Sequence, residues 1–136
     1  MAIKGWLIDK SALVRLAVSP DVELWSERIN AGQVFLSSIT RLEIGYSTKS
    51  AKDFFKTFNS LPLTRMPVEG LSPAIESRAF QVMESLAAKG QHRAPSIPDL
   101  LIAATAELSN LSVLHVDKDF EIIKKITQQP TEKLKY

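Results

Sequence analysis

Residues 94–108 read APSIPDLLIAATAEL, and this stretch organises the rest of the chain. Pro98 suits the first turn of a helix, where its missing N–H is not needed, and Ser96 can accept a hydrogen bond from a free N–H of that turn. Almost every residue after Asp99 is apolar, which predicts a helix that lies in the core rather than across the surface. One carboxylate therefore stands at the start of a buried helix.

Two interpretations of Asp99 follow from its position. In the first, Ser96 and Asp99 form a capping box, in which each side chain satisfies the backbone N–H of the other residue. In the second, Asp99 faces a cleft with other acids and binds a metal ion. The first role is purely structural, so the rest of the chain must decide between them.

Length and composition predict one domain over residues 1–136 with a substantial hydrophobic core. The chain has 45% hydrophobic and 24% charged residues, as ordinary globular domains do. It has no cysteine, which excludes disulfides, thiolate metal sites and a cysteine nucleophile. The first apolar run, residues 6–8, is too short for a signal peptide or a membrane span, and we expect a cytoplasmic protein without membrane contact.

Apolar strand patterns alternate with helical patterns along the chain. Four short strands are predicted, with helices between and after them, at residues 3–8, 34–36, 63–68 and 111–116. This alternation predicts an α/β fold with a mostly parallel sheet that is covered by helices on both faces. The segment 128–136 is polar and contains Pro130, so we expect it to form a flexible C-terminal tail.

The two helices in the middle of the chain are amphipathic. The helix that begins at Ser38 carries Ile39, Leu42 and Tyr46 along one side. The next helix carries three aromatic residues at helical spacing, which we expect in the core: Phe54, Phe55 and Phe58.

Four acids occupy positions where parallel-sheet folds assemble their sites. Asp9 and Asp117 directly follow strands, and Glu43 and Asp99 lie near the starts of helices. Each acid alone has a structural explanation, as a helix cap or an exposed side chain. Together they would repel one another unless a cation held the charge. Oxygen ligands in a chain without cysteine favour Mg²⁺ or Mn²⁺ over zinc, and such an ion activates water and screens a phosphodiester.

Other catalytic arrangements have little support. The chain lacks the G-x-S-x-G, Walker A and G-x-G-x-x-G motifs, which argues against a serine hydrolase or a glycine-loop nucleotide site. Of its two histidines, His92 lies in a basic loop and His115 in a predicted strand. We expect a core position for His115, and the alternative is a position near the site, because it shares strand parity with Asp117. A receiver domain or aspartyl-phosphate enzyme would place a second acid soon after Asp9 or a lysine after the last strand. The chain instead has Ser11 and Asp117 there.

Four segments match, in order, the motifs of one known family: residues 7–12 (LIDKSA), 42–43 (LE), 98–106 (PDLLIAATA) and 117–120 (DKDF). In these motifs the chain resembles the PIN-domain ribonucleases, specifically the VapC-type toxins of toxin–antitoxin pairs. The resemblance covers almost the whole chain. It implies a three-layer α/β/α sandwich with a central parallel sheet, and a metal-dependent endoribonuclease activity.

The resemblance also implies roles for the four acids. Asp9, Glu43, Asp99 and Asp117 match the catalytic quartet of the family. Asp9, Asp99 and Asp117 are then the expected ligands of Mg²⁺ or Mn²⁺, and Glu43 orients a ligand or water. The implied mechanism is in-line attack by a metal-activated water on a phosphodiester of structured cellular RNA.

Residues around the quartet match the family in part. Ser11 matches a hydroxyl that supports the metal-bound water or the first acid, and Asp119 matches a further acid beside the ligands. Lys10 stands where the family often has threonine, and His115 stands where serine or threonine often precedes the fourth acid. Lys10 places a cation beside the site, which would either aid phosphate binding or lower the metal affinity, and His115 replaces the hydroxyl that supports the fourth acid in the family.

The expected partners are RNA, an antitoxin and a second copy of the chain. With four acids gathered in one site the remaining charge is clearly positive, which favours a polyanion. Six basic residues are candidates for RNA contacts: Lys10, Arg15, Lys49, Lys52, Lys56 and Arg93. A solvated helix face explains the lysine arc at residues 49–56 equally well. The family resemblance implies that a cognate antitoxin docks on the helices over residues 38–61 and that the chain forms a homodimer. A catalytically silent PIN-like module that only binds a partner is the main alternative, and an intact quartet argues against it.

Overall fold

The computed structural model describes residues 2–136, which contain a five-stranded sheet in the order β3-β2-β1-β4-β5 with every pair parallel. The strands are β1 (Gly5–Ile8), β2 (Val34–Ser37), β3 (Val68–Glu69), β4 (Leu111–His115) and β5 (Thr131–Lys133). The helices are α1 (Lys10–Leu13), α2 (Val22–Asn30), α3 (Ser38–Ser47), α4 (Ala51–Phe58), α5 (Pro73–Ala87), α6 (Ile97–Leu108) and α7 (Asp119–Thr127). Short 3-10 turns occur at Leu16–Val18 and Leu63–Arg65.

Helices cover both faces of the sheet. Successive residues of a strand point to opposite faces, so Leu7 of β1 packs with α5, α6 and α7, whereas its neighbour Ile8 packs with α1, α2 and α3. Val113 and Leu114 of β4 divide between the two cores in the same way. The predicted α/β/α sandwich with a parallel sheet is therefore confirmed.

Helix α6 lies between α5 and the sheet. Ile102 and Ala106 are fully buried, and Ala103 and Ala104 are nearly so. The small alanine side chains let this helix approach its neighbours closely, and the burial of one large aliphatic side chain contributes roughly 1.5–3 kcal/mol to stability. This packing holds Asp99, in the first turn of α6, at a constant place relative to the sheet.

The third strand, which Pro67 predicts to be short or at an edge of the sheet, is both, but it begins at Val68 rather than at Leu63. Leu63–Arg65 forms a 3-10 turn, and β3 contains only Val68–Glu69 at the edge of the sheet. Pro67 has no N–H to donate to a neighbouring strand, although its carbonyl accepts a hydrogen bond of 2.9 Å from the Leu36 N–H. The strand can therefore pair regularly only after the proline.

Two predicted helices are shorter than their sequence patterns. The helix expected over residues 10–18 is divided into α1 and the 3-10 turn Leu16–Val18. Between them the Arg15 N–H bonds to the carbonyl three residues earlier, at Ala12, with a distance of 3.0 Å. The helix expected over residues 51–61 ends at Phe58.

The segment 128–136, for which we expect flexibility, contains strand β5. It pairs with β4 through backbone bonds, including one of 2.9 Å from the Leu134 N–H to the His115 carbonyl. Leu134 is 2% exposed and belongs to the core. Ladder bonds form between backbones, so a polar strand with one buried leucine gives only a weak signal in the sequence.

The apolar side of α3 that the sequence suggests is divided, because Ile39 packs against the core whereas Leu42 and Tyr46 face outward. Leu42 is 71% and Tyr46 94% exposed, whereas Thr40 and Ile44 are buried. An exposed apolar face of this kind is typical of an interaction surface. None of the helices within residues 2–136 has the length and apolar character that crossing a membrane requires.

Candidate metal centre

The four predicted acids meet at one end of the sheet. Asp9 follows β1, Asp117 follows β4, and Asp99 lies in the first turn of α6. Glu43 lies in the middle of α3 and not near its start as expected, because that helix begins at Ser38. All four line an open cavity of about 330 Å³. The other residues that line it are Lys10, Ser11, Val14, Ser96 and Asp119.

Three of these acids are close enough to share one cation. One carboxylate oxygen each from Asp9, Asp99 and Asp117 lies within 4.8 Å of the other two. An octahedral Mg²⁺ with oxygens at about 2.1 Å spaces its ligand atoms roughly 3–4 Å apart, so only a small contraction is needed. Asp9 and Asp99 are buried, which makes their mutual repulsion costly without a counter-charge. The donor set therefore fits a hard divalent ion.

The electrostatics of Asp99 give the same result. Burial raises the pKa of Asp99 to about 8, and the charges of Asp9 and Asp117 and hydrogen bonds with Asp117 and Asp119 add to this. At neutral pH the cluster therefore retains a proton when no cation is bound. A divalent cation at the same place would release that proton and hold all three carboxylates in the ionised form.

The hydrogen bonds at the start of α6 decide between the two interpretations of Asp99. The Asp99 N–H donates to the Ser96 hydroxyl oxygen at 3.2 Å, so Ser96 caps the helix. The reciprocal half of a capping box is not formed by Asp99, because the Ser96 N–H donates instead to Oδ2 of Asp119, at 3.2 Å. The carboxylate of Asp99 is therefore directed to the acidic cavity, and the capping-box interpretation is wrong.

Asp9 both caps a helix and faces the cavity. Its Oδ2 accepts a hydrogen bond of 3.0 Å from the Ser11 N–H, in the first turn of α1. The Ser11 hydroxyl oxygen accepts a bond of 3.0 Å from the Val116 N–H. The Ser11 side chain thus anchors the end of β4, the strand that leads to Asp117, whereas its backbone supports the first acid.

The segment around Asp117 carries contacts that the sequence did not show. Oδ1 of Asp117 accepts a bond of 2.9 Å from the Asp119 N–H. The Asp117 N–H donates to Nδ1 of His115 at 3.1 Å. Asp119 therefore links this loop to the start of α6 through Ser96, which agrees with a position next to the three clustered acids.

His115 is buried at the end of β4, as expected for a core histidine. Its ring packs against Phe120 with 5.2 Å between centroids, and its Nε2 lies 3.1 Å from Oε2 of Glu121. Burial lowers the pKa of His115, although the Glu121 carboxylate opposes this. Glu121 was not a candidate in the sequence, because the only signal for it is a position six residues after the histidine.

Glu43 of α3 and Lys10 of α1 also line the cavity. Burial raises the pKa of Glu43, and the Asp9 charge adds to this, whereas Lys10 lowers it. The Lys10 ammonium contacts the hydroxyl of Ser47 in α3. Lys10 is therefore a cation that lines the same cavity as Asp9 and Glu43 and favours the ionised form of Glu43.

The structure divides the six basic candidates. Lys10 lines the acidic cavity. Arg15 lines an adjoining cavity of about 490 Å³, and Ser11 and Asp117 line both cavities. Four other candidates do not line either cavity: Lys49, Lys52, Lys56 and Arg93. The adjoining cavity is lined by two further cations that the sequence analysis missed, Lys118 and Lys133. Lys118 could have been found because it directly follows Asp117.

An apolar cavity of about 480 Å³ lies between α1 and α4, next to Lys10. Leu13, Val14, Ile44 and Leu61 are among the residues that line it. The aromatic residues of α4 were expected in the core, but none is fully buried, and Phe55 is 63% exposed. Phe54 and Phe58 pack against each other, with 4.8 Å between ring centroids.

Comparisons with known proteins agree with this geometry. The PIN domain family matches residues 6–126. Ribonuclease VapC2 of Mycobacterium tuberculosis (strain CDC 1551 / Oshkosh) is 58% identical over 134 residues, which cover 98% of this chain and 95% of that protein. The chain is also similar to the crystal structure of DNA-bound VapBC from Salmonella typhimurium, with a TM-score of 0.76 and 18% identity over 98% of both chains.

A second solved structure has the same fold. It is a member of the VapBC family of toxin-antitoxin systems, VapBC-5 from Mycobacterium tuberculosis, with a TM-score of 0.66 and 20% identity over 98% of this chain and 99% of that one. The arrangement of acids around a parallel sheet, the family match and the 58% identity lead to one conclusion. The chain belongs to the PIN domain family and, within it, to the VapC proteins.

Proposed function

We propose that this protein is an Mg²⁺- or Mn²⁺-dependent endoribonuclease that hydrolyses structured cellular RNA in the cytoplasm and is inhibited by a cognate antitoxin. The observation that carries the proposal is the convergence of Asp9, Asp99 and Asp117 within 4.8 Å at one end of the sheet. The relative with 58% identity, which is named as a ribonuclease, supports the choice of reaction. The pKa of about 8 at Asp99 supports a divalent cation as the counter-charge.

Asp9, Asp99 and Asp117 would hold the ion. A divalent cation bound there supplies Lewis-acid polarisation of a phosphoryl oxygen and lowers the pKa of a water molecule. Glu43 lines the same cavity, and its raised pKa suits a group that accepts a proton from an attacking water. Lys10 partly neutralises the acids, so that a phosphodiester can approach them. In-line attack by water requires no covalent intermediate on the protein.

Cations around the cavity favour a polyanionic substrate. Lys10, Arg15, Lys118 and Lys133 form no ion pair with any acid in the described part of the chain. Arg15 is oriented by a bond of 2.7 Å from its Nη1 to the Ser11 carbonyl. Free cations of this kind beside an acidic centre can bind the phosphates that flank the one that is cleaved.

We also propose that the antitoxin docks on the exposed apolar surface next to the site. This surface contains the cavity between α1 and α4 and the outward face of α3, with Leu42 and Tyr46 exposed. Solved structures with this fold include VapBC assemblies, which supports a partner of this type. The homodimer stays a prediction from the family resemblance.

The first test is metal removal. Purified chain without antitoxin is incubated with a folded RNA such as transfer RNA and with an unstructured RNA, in Mg²⁺, in Mn²⁺ or in EDTA. We expect cleavage of the folded RNA in either metal and none in EDTA, because the acids alone repel the phosphodiester. Cleavage is followed by gel electrophoresis and by mapping the new RNA ends.

The result that contradicts metal dependence is cleavage at an undiminished rate in EDTA. Binding of the antitoxin without any cleavage in either metal would support the silent partner-binding module instead. Equal cleavage of both RNAs would retain the nuclease but remove the proposed preference for structured RNA.

A second prediction concerns which basic residues contact the RNA. Replacing Lys118 and Lys133 together by alanine should weaken RNA binding and make the negative slope of log affinity against log salt shallower by about 1.4–1.8, since each phosphate contact contributes about 0.7 on a single strand and about 0.9 on a duplex. Replacing Lys49 and Lys52 together by alanine removes the same charge away from both cavities and should change this slope little. Binding is measured in the Asp99→Asn background, so that the RNA is not cut. A larger effect of the Lys49 and Lys52 pair would place the RNA on α4 instead.

A further inference from the structure

His115 is a buried residue whose two ring nitrogens are both engaged. It is 2% exposed at the end of β4. Its Nδ1 lies 3.1 Å from the Asp117 nitrogen, and its Nε2 lies 3.1 Å from Oε2 of Glu121. The ring thus connects the backbone of Asp117 to the side chain of Glu121 in α7.

The backbone contact fixes the tautomer of the ring. A backbone N–H can only donate, so Nδ1 must present its lone pair to the Asp117 N–H. The ring proton then lies on Nε2, which donates it to the Glu121 carboxylate. A proton on Nδ1 would face the Asp117 N–H directly and break the contact.

A second contact holds Glu121 in place. Oε2 of Glu121 also accepts a bond of 2.7 Å from the hydroxyl of Thr131, the first residue of β5. β5 is in turn paired with β4 from Val113 to His115. The polar C-terminal strand is therefore linked to Asp117 through Glu121 and His115.

The loop that carries Asp117 must hold its carboxylate close to two other carboxylates that repel it. Its carboxylate must remain within 4.8 Å of those of Asp9 and Asp99. Successive backbone N–H groups of this loop are anchored by side chains: Val116 by the Ser11 hydroxyl at 3.0 Å, and Asp117 by His115. Without the second anchor, rotation of the peptide group would let Asp117 move away from the other acids.

We infer that His115 is a positioning residue, which holds the backbone of Asp117 so that its carboxylate faces Asp9 and Asp99, with Glu121 and Thr131 fixing the ring. This inference rests on the proposed metal centre for its functional consequence. The hydroxyl of a serine or threonine is short, whereas the imidazole also reaches α7. The C-terminal strand thereby becomes part of the support of the site.

The test compares His115→Asn with His115→Leu. The amide oxygen of asparagine can occupy the place of Nδ1 and accept the Asp117 N–H, whereas leucine fills the volume without an acceptor. We expect His115→Leu to weaken Mn²⁺ binding roughly tenfold or more, as is typical when a partner that orients a metal ligand is lost. His115→Asn should stay within a few-fold of the unmodified chain. Mn²⁺ affinity is measured by calorimetry, with RNA cleavage as a second readout.

Val113→Ala is the matched control for loss of stability. Val113 is fully buried in the same strand, and its side chain belongs to the core between the sheet and helices α5, α6 and α7. It should lower the melting temperature and leave Mn²⁺ affinity unchanged. Equal Mn²⁺ affinity of the His115→Leu variant and the unmodified chain, or equal losses in His115→Leu and His115→Asn, would overturn the inference.

A readout without metal separates this inference from the proposed function. Nitrogen-15 NMR of the metal-free chain should show His115 protonated at Nε2 and bare at Nδ1, and the Asp117 amide should exchange slowly with solvent. His115→Leu should remove that protection, and His115→Asn should keep it. A proton on Nδ1 would overturn the positioning role whatever the metal result. Failure of the unmodified chain to bind Mn²⁺, with the expected tautomer present, would contradict the proposed metal centre alone.

Discussion

Asp99→Asn should reduce the rate of RNA cleavage by at least about a hundredfold. Removing a residue that merely orients a metal ligand already lowers metal affinity or activity about ten- to a hundredfold, and Asp99 is a candidate ligand itself. The substitution replaces a candidate ligand oxygen by a neutral amide in the middle of the cluster with Asp9 and Asp117. It leaves the helix cap intact, since the cap uses the Ser96 hydroxyl and the backbone N–H of residue 99. Initial cleavage rates in Mg²⁺ and in Mn²⁺ measure the loss.

Glu84→Gln is the control for this substitution. Glu84 is an exposed acid on α5 and lies outside the cavity, so its removal changes the net charge equally without touching the cluster. Its cleavage rate should match that of the unmodified chain. Cleavage by Asp99→Asn at the unmodified rate would contradict the role of Asp99 in the mechanism.

The same substitution should make the metal-free protein more stable above neutral pH. Burial and two neighbouring acids raise the pKa of Asp99 from 3.8 to about 8, so ionising it in the folded protein is unfavourable. A neutral amide removes that cost and can donate hydrogen bonds to the Asp117 and Asp119 carboxylates. We expect the free energy of unfolding to rise by a few kcal/mol at about pH 9, since each unit of pKa difference corresponds to about 1.4 kcal/mol.

The pH dependence gives the sign of this effect. Between the unfolded pKa near 3.8 and the folded value of about 8, the folded protein binds the Asp99 proton and the unfolded protein does not. The contribution of this group is therefore fully present at low pH and is lost as the pH rises through about 8. Asp99→Asn should lack this decline. Urea unfolding at a series of pH values, without metal, measures both curves.

Added metal should make the unmodified chain more stable than Asp99→Asn, which is the reverse of their order without metal. Mg²⁺ or Mn²⁺ binds the folded state of the unmodified chain and stabilises it as its concentration rises above the dissociation constant. Asp99→Asn should gain little, because one ligand is missing. If metal raised the melting temperature of both proteins equally, Asp99 would not be a ligand. If the stability of the unmodified chain neither declined with rising pH nor increased with metal, the acids would not form a cluster in solution.

The sequence was sufficient to locate the acids and the layer architecture. A strand followed at once by an acid, as at Ile8 and Asp9, is a local pattern, and parallel strands bring their carboxyl ends to one edge. The helix after Asp99 is apolar on nearly all sides, which predicts its burial without knowledge of its neighbours. These features depend on residues close together in the chain, so periodicity and spacing reveal them.

The contacts that support the acids could not be predicted in the same way. Ser11 bonds to Val116, and Ser96 bonds to Asp119, across separations that leave no periodic signal. The exposure of Leu42 and Tyr46 likewise depends on how α3 rotates against the sheet, although their spacing suggested one apolar side. The sequence could therefore show which side chains carry charge, but not which hydrogen bonds hold them.

By itself the sequence determined the parallel α/β sandwich, the buried helix behind Asp99 and the positions of Asp9 and Asp117 after strands, because local hydrophobic patterns encode them. Only the tertiary structure decided that Asp99 faces the acidic cavity rather than the Ser96 N–H, since Asp119, the first residue of α7 and 23 residues away from Ser96, accepts the hydrogen bond from that N–H. It also decided that the polar C-terminal segment forms a strand and reaches the site through Glu121 and His115. Backbone pairing and long-range hydrogen bonds depend on the position of whole elements, and the chain has to fold before those positions exist.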